Sequence, residues 1–234
     1  MNNNNSVALV TGANRGIGFE VCRQLAEQGY TVLLTARNPD KAQESAEKLR
    51  TTGLQVIPQQ LDVADAASIT RAYGRVAQDF GYLDALINNA AVDYDTDQNV
   101  LTADLDRVQK VFEINTIGTW RVTQTFIPLL RKSKHGRIVN VSSGAGALSS
   151  MRGGTPAYSL SKAALNALTL MLAASLKESG ILVNAICPGW VATDMGGQGG
   201  RPVAEGAASV VWGVTLPDQG PTGGFFRDGQ ALQW

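Results

Sequence analysis

One histidine, two cysteines and no surplus of either charge deny this 234-residue chain several common kinds of chemistry. His135 alone cannot build a histidine metal site, and Cys22 and Cys187 are too few for a cysteine cluster. Both cysteines stand among apolar neighbours, so they are read as buried thiols of a reducing compartment, not as a disulfide framework. Twenty basic residues offset twenty acidic ones, which removes the electrostatic footprint of a nucleic-acid or anionic-membrane binder. Met1 to Asn5 is polar, lacks the apolar centre of a signal peptide, and is read as a flexible tail. No run of ~18 apolar residues offers a membrane span, and no repeat with a period of ~20–50 residues marks a solenoid. With 44% hydrophobic and 17% charged residues, the expectation is a cytoplasmic globular protein with a sizeable core.

What is present is alternation. Ser6–Thr11, Thr31–Ala36, Val56–Val63, Leu83–Asn88, Arg137–Ser142 and Ile181–Ile186 are short apolar or β-branched runs, read as buried strands. Helical patterns separate them: one after the first run, one from Pro39 to about Gly53, and one over about 66–79. Two more are expected over about 102–112 and 115–130, and a long one runs from about Tyr158 to Lys177. A short helix near 202–212 and a last strand at 224–226 complete the series. Strands alternating with helices predict a parallel sheet covered on both faces. No shift in composition marks a linker, so residues 1–234 are read as one domain of α/β class with about seven mostly parallel strands.

The first strand runs into Gly12-Ala13-Asn14-Arg15-Gly16-Ile17-Gly18 and then a helix. A glycine-rich turn at that place lets backbone approach a pyrophosphate, with the helix N-terminus supplying N–H donors. Its spacing is not G-x-G-x-x-G. At the end of the second strand an acidic residue would accept a ribose 2′-hydroxyl, but Arg37 stands there instead. Together with Arg15 inside the turn it offers charge-assisted bonds to a 2′-phosphate. The cofactor expected from these residues is NADP(H).

Tyr158-Ser159-Leu160-Ser161-Lys162 places a phenol and an ammonium on one face of a helix, four positions apart. A lysine there favours the phenolate and would lower the phenol pKa. A lone Y-x-x-x-K also occurs on ordinary surface helices, so the rest of the chain decides its meaning. Thr11-Gly12-x3-Gly16-x-Gly18, Asn88-Asn89-Ala90-Ala91, Asn115, Ser143 and Tyr158-x3-Lys162 together resemble the short-chain dehydrogenase/reductase family, from Val7 to Thr193. Thr35-Ala36-Arg37, the run Cys187-Pro188-Gly189-Trp190-Val191 with Thr193-Asp194-Met195, and Gln233-Trp234 are most similar to its NADPH-dependent carbonyl reductases. Those carry a long insertion before the tyrosine that this chain lacks, and Ala91 stands where the family usually has glycine.

The resemblance implies a Rossmann-type domain and hydride transfer between NADP(H) and a carbonyl or alcohol. It implies Tyr158 as proton donor, Lys162 as the group that tunes it and holds the nicotinamide ribose, and Ser143 as hydrogen-bond partner of the substrate carbonyl. Ser142 competes with Ser143; the resemblance, aligned on Ile138-Val139-Asn140-Val141, implies Ser143, with Ser142 then facing the other way. Asn115 would join a water relay to Lys162, or cap a helix. Asp62 and Val63 would contact the adenine, Asn89 and Ala90 the adenosine ribose, and Pro188, Gly189, Val191 and Thr193 the nicotinamide amide. The glycine-rich loop from Met195 to about Arg201 would be a substrate lid with few recognising side chains, which predicts broad aldehyde and ketone specificity. The all-round apolarity of the helices near 115–131 and 157–178 predicts burial on both faces, and the resemblance implies a homodimer or homotetramer through them. A reductase dedicated to a 3-oxoacyl, steroid or terpenoid ketone and a non-catalytic NADP(H) sensor are the alternatives. A serine hydrolase is disfavoured, because no G-x-S-x-G elbow exists and His135 is the sole imidazole.

Overall fold

The computed structural model of the protein describes residues 6–234, and the Met1–Asn5 tail lies outside them. Eight strands form one sheet in the order β3-β2-β1-β4-β5-β6-β7-β8. They are β1 (Val7–Val10), β2 (Thr31–Ala36), β3 (Val56–Gln60), β4 (Ala85–Asn88), β5 (Arg137–Val141), β6 (Leu182–Ile186), β7 (Phe225–Arg227) and β8 (Gln230–Ala231). All neighbours are parallel except the terminal β7–β8 hairpin. The eighth strand exceeds the expected count because two residues are too short to show a period. Order reverses between β1 and β4, which opens a crevice at the carboxyl ends of those strands.

Helices cover both faces. α1 (Gly16–Glu27), α2 (Pro39–Arg50) and α7 (Val203–Val214) take one side; α3 (Ala66–Asp79), α5 (Thr119–Leu130) and α6 (Pro156–Leu176) take the other. Strand alternation feeds two cores: Val32 and Leu34 point into the first, Leu33 between them into the second. Local chemistry sets the helix starts. Asn38 accepts N–H bonds from Asp40 and Lys41 ahead of Pro39 at the first turn of α2, and Asp65 accepts one from Ala67 at α3.

Two expectations change here. Helix α4 (Leu105–Phe112) begins after its Asp104 cap, and no break separates it from α5. A π-helical turn, Glu113–Gly118, joins them, so Asn115 sits inside a continuous helical rod and caps nothing. A Cβ on Gly118 would lie 2.9 Å from the Val63 carbonyl oxygen, so this turn presses against the chain leaving β3. Helix α6 with the turn after it (Pro156–Ser179) is long and apolar enough to cross a bilayer, although no simple apolar run reveals it. More than half of that stretch is buried inside the protein, and α6 packs on β6 and on α4.

Candidate active site

The glycine turn leaves β1 and folds against the end of β4. Gly12 has φ +62, and a Cβ there would sit 2.8 Å from the Ala90 Cα. The Asn89 side-chain amide donates to the carbonyls of Thr11 and Gly12 at 2.9 and 3.0 Å, and the Thr11 hydroxyl accepts the Asn89 and Ala90 N–H groups. A Cβ on Gly18 would fall 2.4 Å from that amide nitrogen. The Asn89 amide nitrogen is therefore committed to shaping the turn. Ile17 packs on the core, and the Asn14 carbonyl accepts the Ser45 hydroxyl at 2.9 Å. Helix α1 opens at Arg15 without a side-chain cap and without an acidic residue in its first turn. Bare N–H groups beside a cradle that a Cβ would fill suit a pyrophosphate.

Arg37 is exposed at the end of β2. Arg15 pairs with Asp194 at 2.7 Å across the mouth of the crevice, both side chains about three-quarters exposed. Asp62 accepts the Ala64 N–H at 3.0 Å; Asp65, not Asp62, caps α3. Val63 is buried behind it. Beyond β6, Pro188 and Val191 are buried, Gly189 has φ +81, and the Thr193 methyl lies 3.5 Å from where a Gly16 Cβ would stand. The segment after β6 thus faces the glycine turn, with the crevice between them.

Ser143 follows β5 and its hydroxyl hydrogen-bonds the Tyr158 phenol. Ser142 points the opposite way and donates to the Asn166 amide oxygen at 2.5 Å. Lys162, 2% exposed, donates from Nζ to the Val141 carbonyl at 2.7 Å and lies 5.5 Å from the Tyr158 ring centre. Burial pulls its ammonium from 10.5 down to about 8, with a smaller opposing effect of Cys187. Burial also pushes the Tyr158 phenol up, only partly offset by the Ser143 hydrogen bond. The expected lowering of that phenol by Lys162 is therefore not what the protein alone produces. Desolvation sets the direction, and the ammonium is directed to the strand carbonyl.

The hydrogen bonds of the Asn115 side chain go to Val92 and Ser161. Its Oδ1 accepts the Val92 N–H at 2.9 Å, and its Nδ2 donates to the Ser161 hydroxyl at 3.1 Å and to the Val92 carbonyl at 3.2 Å. It braces the loop after β4 against α6. Cys22 is buried in apolar core, as expected, but Cys187 is not in purely apolar surroundings. Its sulfur accepts the Gly144 N–H at 3.2 Å and the Arg227 guanidinium at 3.1 Å. Nothing local in the sequence signals that contact, because Arg227 comes from the following strand. Among the described residues no cluster of His, Cys, Asp and Glu could hold a metal.

The crevice, the bare helix end and the Ser143–Tyr158–Lys162 constellation coincide with a sequence match: the short chain dehydrogenase family profile covers residues 6–202. The chain belongs to the short-chain dehydrogenase family. It is 36% identical to (+)-neomenthol dehydrogenase of Arabidopsis thaliana, over 97% of each chain. It is 32% identical to carbonyl reductase [NADPH] 1 of Sus scrofa, over 100% of this chain and 96% of the relative. The NADPH-bound carbonyl reductase structure from chicken fatty liver superposes with a TM-score of 0.88 at 31% identity, covering 97% of this chain and 94% of the other. The Arabidopsis alignment runs over 291 positions against 234 residues here, so this short-chain dehydrogenase lacks residues that the relative carries.

Proposed function

We propose that the protein is an NADPH-dependent reductase of aldehyde and ketone carbonyls, running in reverse as an alcohol dehydrogenase. The observation that carries this reading is the Ser143–Tyr158 hydrogen bond standing above buried Lys162, at the carboxyl end of β5 and facing the glycine turn. The relatives named for NADPH and for carbonyl reduction support it.

The residues present fit NADP(H): the α1 N-terminus would take the pyrophosphate, Arg15 and Arg37 a 2′-phosphate, and Pro188 to Thr193 the nicotinamide side. When bound, the cofactor supplies the hydride. Ser143 holds the substrate oxygen, on which negative charge grows as hydride arrives. Tyr158 delivers a proton to that oxygen, and its raised phenol pKa keeps the proton on the ring until then. The positive Lys162 beneath stabilises the phenolate left behind and can hold ribose hydroxyls. Trp190 and Met195 are exposed beside a loop of glycines, and this open apolar rim favours broad specificity. A dedicated cyclic ketone is the second reading, supported by the (+)-neomenthol dehydrogenase relative. A panel of aldehydes, ketones, diketones and cyclic terpenoid ketones, followed by NADPH absorbance, tests both. No NADPH consumption with any of them rejects the function, and one substrate preferred a thousandfold rejects the broad form.

Asp194 competes with any phosphate for Arg15. Asp194→Asn is expected to tighten NADPH binding about two- to fivefold, the scale of one exposed ion pair, and to leave NADH binding unchanged. Fluorescence titration with both cofactors checks this.

Trp120, Leu160, Leu170 and Met171 are exposed on α5 and α6. They support a homodimer or homotetramer through these helices, for which light scattering at micromolar concentration should read more than one chain; a monomer would exclude it. Two buried free thiols suit the cytoplasm.

A further inference from the structure

The loop between β4 and α4 carries a carboxylate with no part in the chemistry above. Asp95 is 0% exposed, and among the described residues no cation pairs with it. Its two oxygens each accept one backbone N–H: Oδ2 from Ala157 at 2.9 Å and Oδ1 from Tyr158 at 3.0 Å. These N–H groups belong to the first turn of α6. That helix has no cap of its own, since Thr155 is left-handed at φ 49, ψ 49 and makes no side-chain cap bond. Pro156 brings no N–H. The unpaired donors of this helix end are met instead by a side chain more than sixty residues earlier in the chain.

The neighbours of Asp95 add a second hold on the same residue. The Tyr94 ring stands edge-on to the Tyr158 ring, with centres 5.0 Å apart at 87°. Arg107 grips Asp93 through two bonds of 2.6 Å and Asp97 through one of 2.8 Å. The loop is thus clamped on both sides of Asp95 while the carboxylate enters the helix end. A negative charge there is favoured by the helix dipole, and charge-assisted N–H bonds are what make its burial tolerable.

We propose that Asp95 is the positioning residue of the proton donor: it fixes the main chain at Tyr158 so that the phenol meets Ser143. This rests on reading Tyr158 as the donor. Asp95 is wholly buried and both its oxygens are engaged by α6, so its effect belongs in turnover and not in cofactor binding.

The test compares Asp95→Ala, Asp95→Asn and Ser143→Ala with the parent protein. Three readouts are taken: kcat, NADPH affinity by fluorescence titration, and the Tyr158 ring Cζ resonance in 13C-tyrosine protein, assigned with Tyr158→Phe. Asp95→Ala is expected to lower kcat about 30- to 100-fold, the scale of an ångström of misplacement, with NADPH affinity within about twofold. Its Tyr158 resonance should move the way Ser143→Ala moves it. Asp95→Asn keeps one acceptor oxygen and should recover to within about fivefold of the parent, with a smaller resonance shift. Three results would overturn the assignment: a Tyr158 resonance unmoved in both Asp95 variants, a parental kcat in both, or kcat and NADPH affinity falling together with no recovery in Asp95→Asn. Should Asp95→Ala not fold, Asp95→Asn decides by the same two measures. A parent that reduces no carbonyl rejects the reductase reading by itself, while the resonance still settles whether Asp95 holds Tyr158 against Ser143.

Discussion

Tyr158→Phe is expected to lower kcat for carbonyl reduction about a thousandfold, within the 10²- to 10⁴-fold range of general acid catalysis. The substitution removes one oxygen. The ring stays, and so does its edge-on packing against Tyr94. Cofactor affinity should stay within about twofold, because the glycine turn, the α1 N-terminus and Lys162 are untouched. The melting temperature at neutral pH should fall by no more than a few degrees, since the phenol is uncharged there and the substitution removes only its hydrogen bond with Ser143. NADPH absorbance, cofactor fluorescence and a thermal melt on the same preparation separate these effects. Activity within tenfold of the parent would remove Tyr158 from the mechanism.

Lys162→Met should abolish reduction and also change how stability depends on pH. Lys162 is buried, and its ammonium is pulled from 10.5 to about 8. The folded chain gives up this proton near pH 8, while the unfolded chain keeps it to about 10.5. Between those values the unfolded state binds more protons, so stability rises with pH across that window. Below pH 8 both states hold the proton and the full destabilisation is present. The shift of about 2.5 pH units corresponds to about 3 kcal/mol at 1.36 kcal/mol per unit. Urea unfolding at pH 7 and pH 10 should show the parent gaining most of this relative to Lys162→Met. Methionine fills a similar volume but does not titrate, so slopes shared with other groups cancel in the difference. An unchanged difference between the two pH values would mean that Lys162 is charged and solvated in the fold. The same burial that destabilises at neutral pH places a positive charge under Tyr158, so stability and chemistry oppose each other at this residue.

Strands buried on both faces read as near-continuous apolar runs, which makes Val7–Val10 legible as a strand from sequence, and Leu182–Ile186 legible despite Asn184 at its centre. The glycine turn was equally plain, because it falls between a strand and a helical pattern. Alternation along β5 separates Ser142, bonded to Asn166, from Ser143, bonded to Tyr158. What stayed hidden depends on distant partners. Asp95 stands in a polar stretch with no periodicity, and only the fold brings it to α6. Glu113–Gly118 contains no proline or other marker of a π turn. Cys187 resembled an apolar thiol until Arg227 arrived beside it from β7. The direction of the Tyr158 phenol shift is hidden for a related reason: spacing reports that a charge is close, whereas the desolvation of both groups depends on everything packed around them.

The π turn has a consequence for how the long rod from Leu105 to Leu130 is phased. A π turn holds one residue more than an α-helical path requires, and each α-helical residue advances the direction of its side chain by about 100°. The rod serves two neighbours in turn: α4 lies along α6, while α5 lies along α3. The extra residue works as an angular offset between two halves of one shaft. Removing it would let the turn relax to an ordinary helix and rotate Val122, Phe126 and Leu129, all fully buried, away from the core they fill. A single-residue deletion, harmless in many surface loops, would here put the two halves of the shaft out of phase.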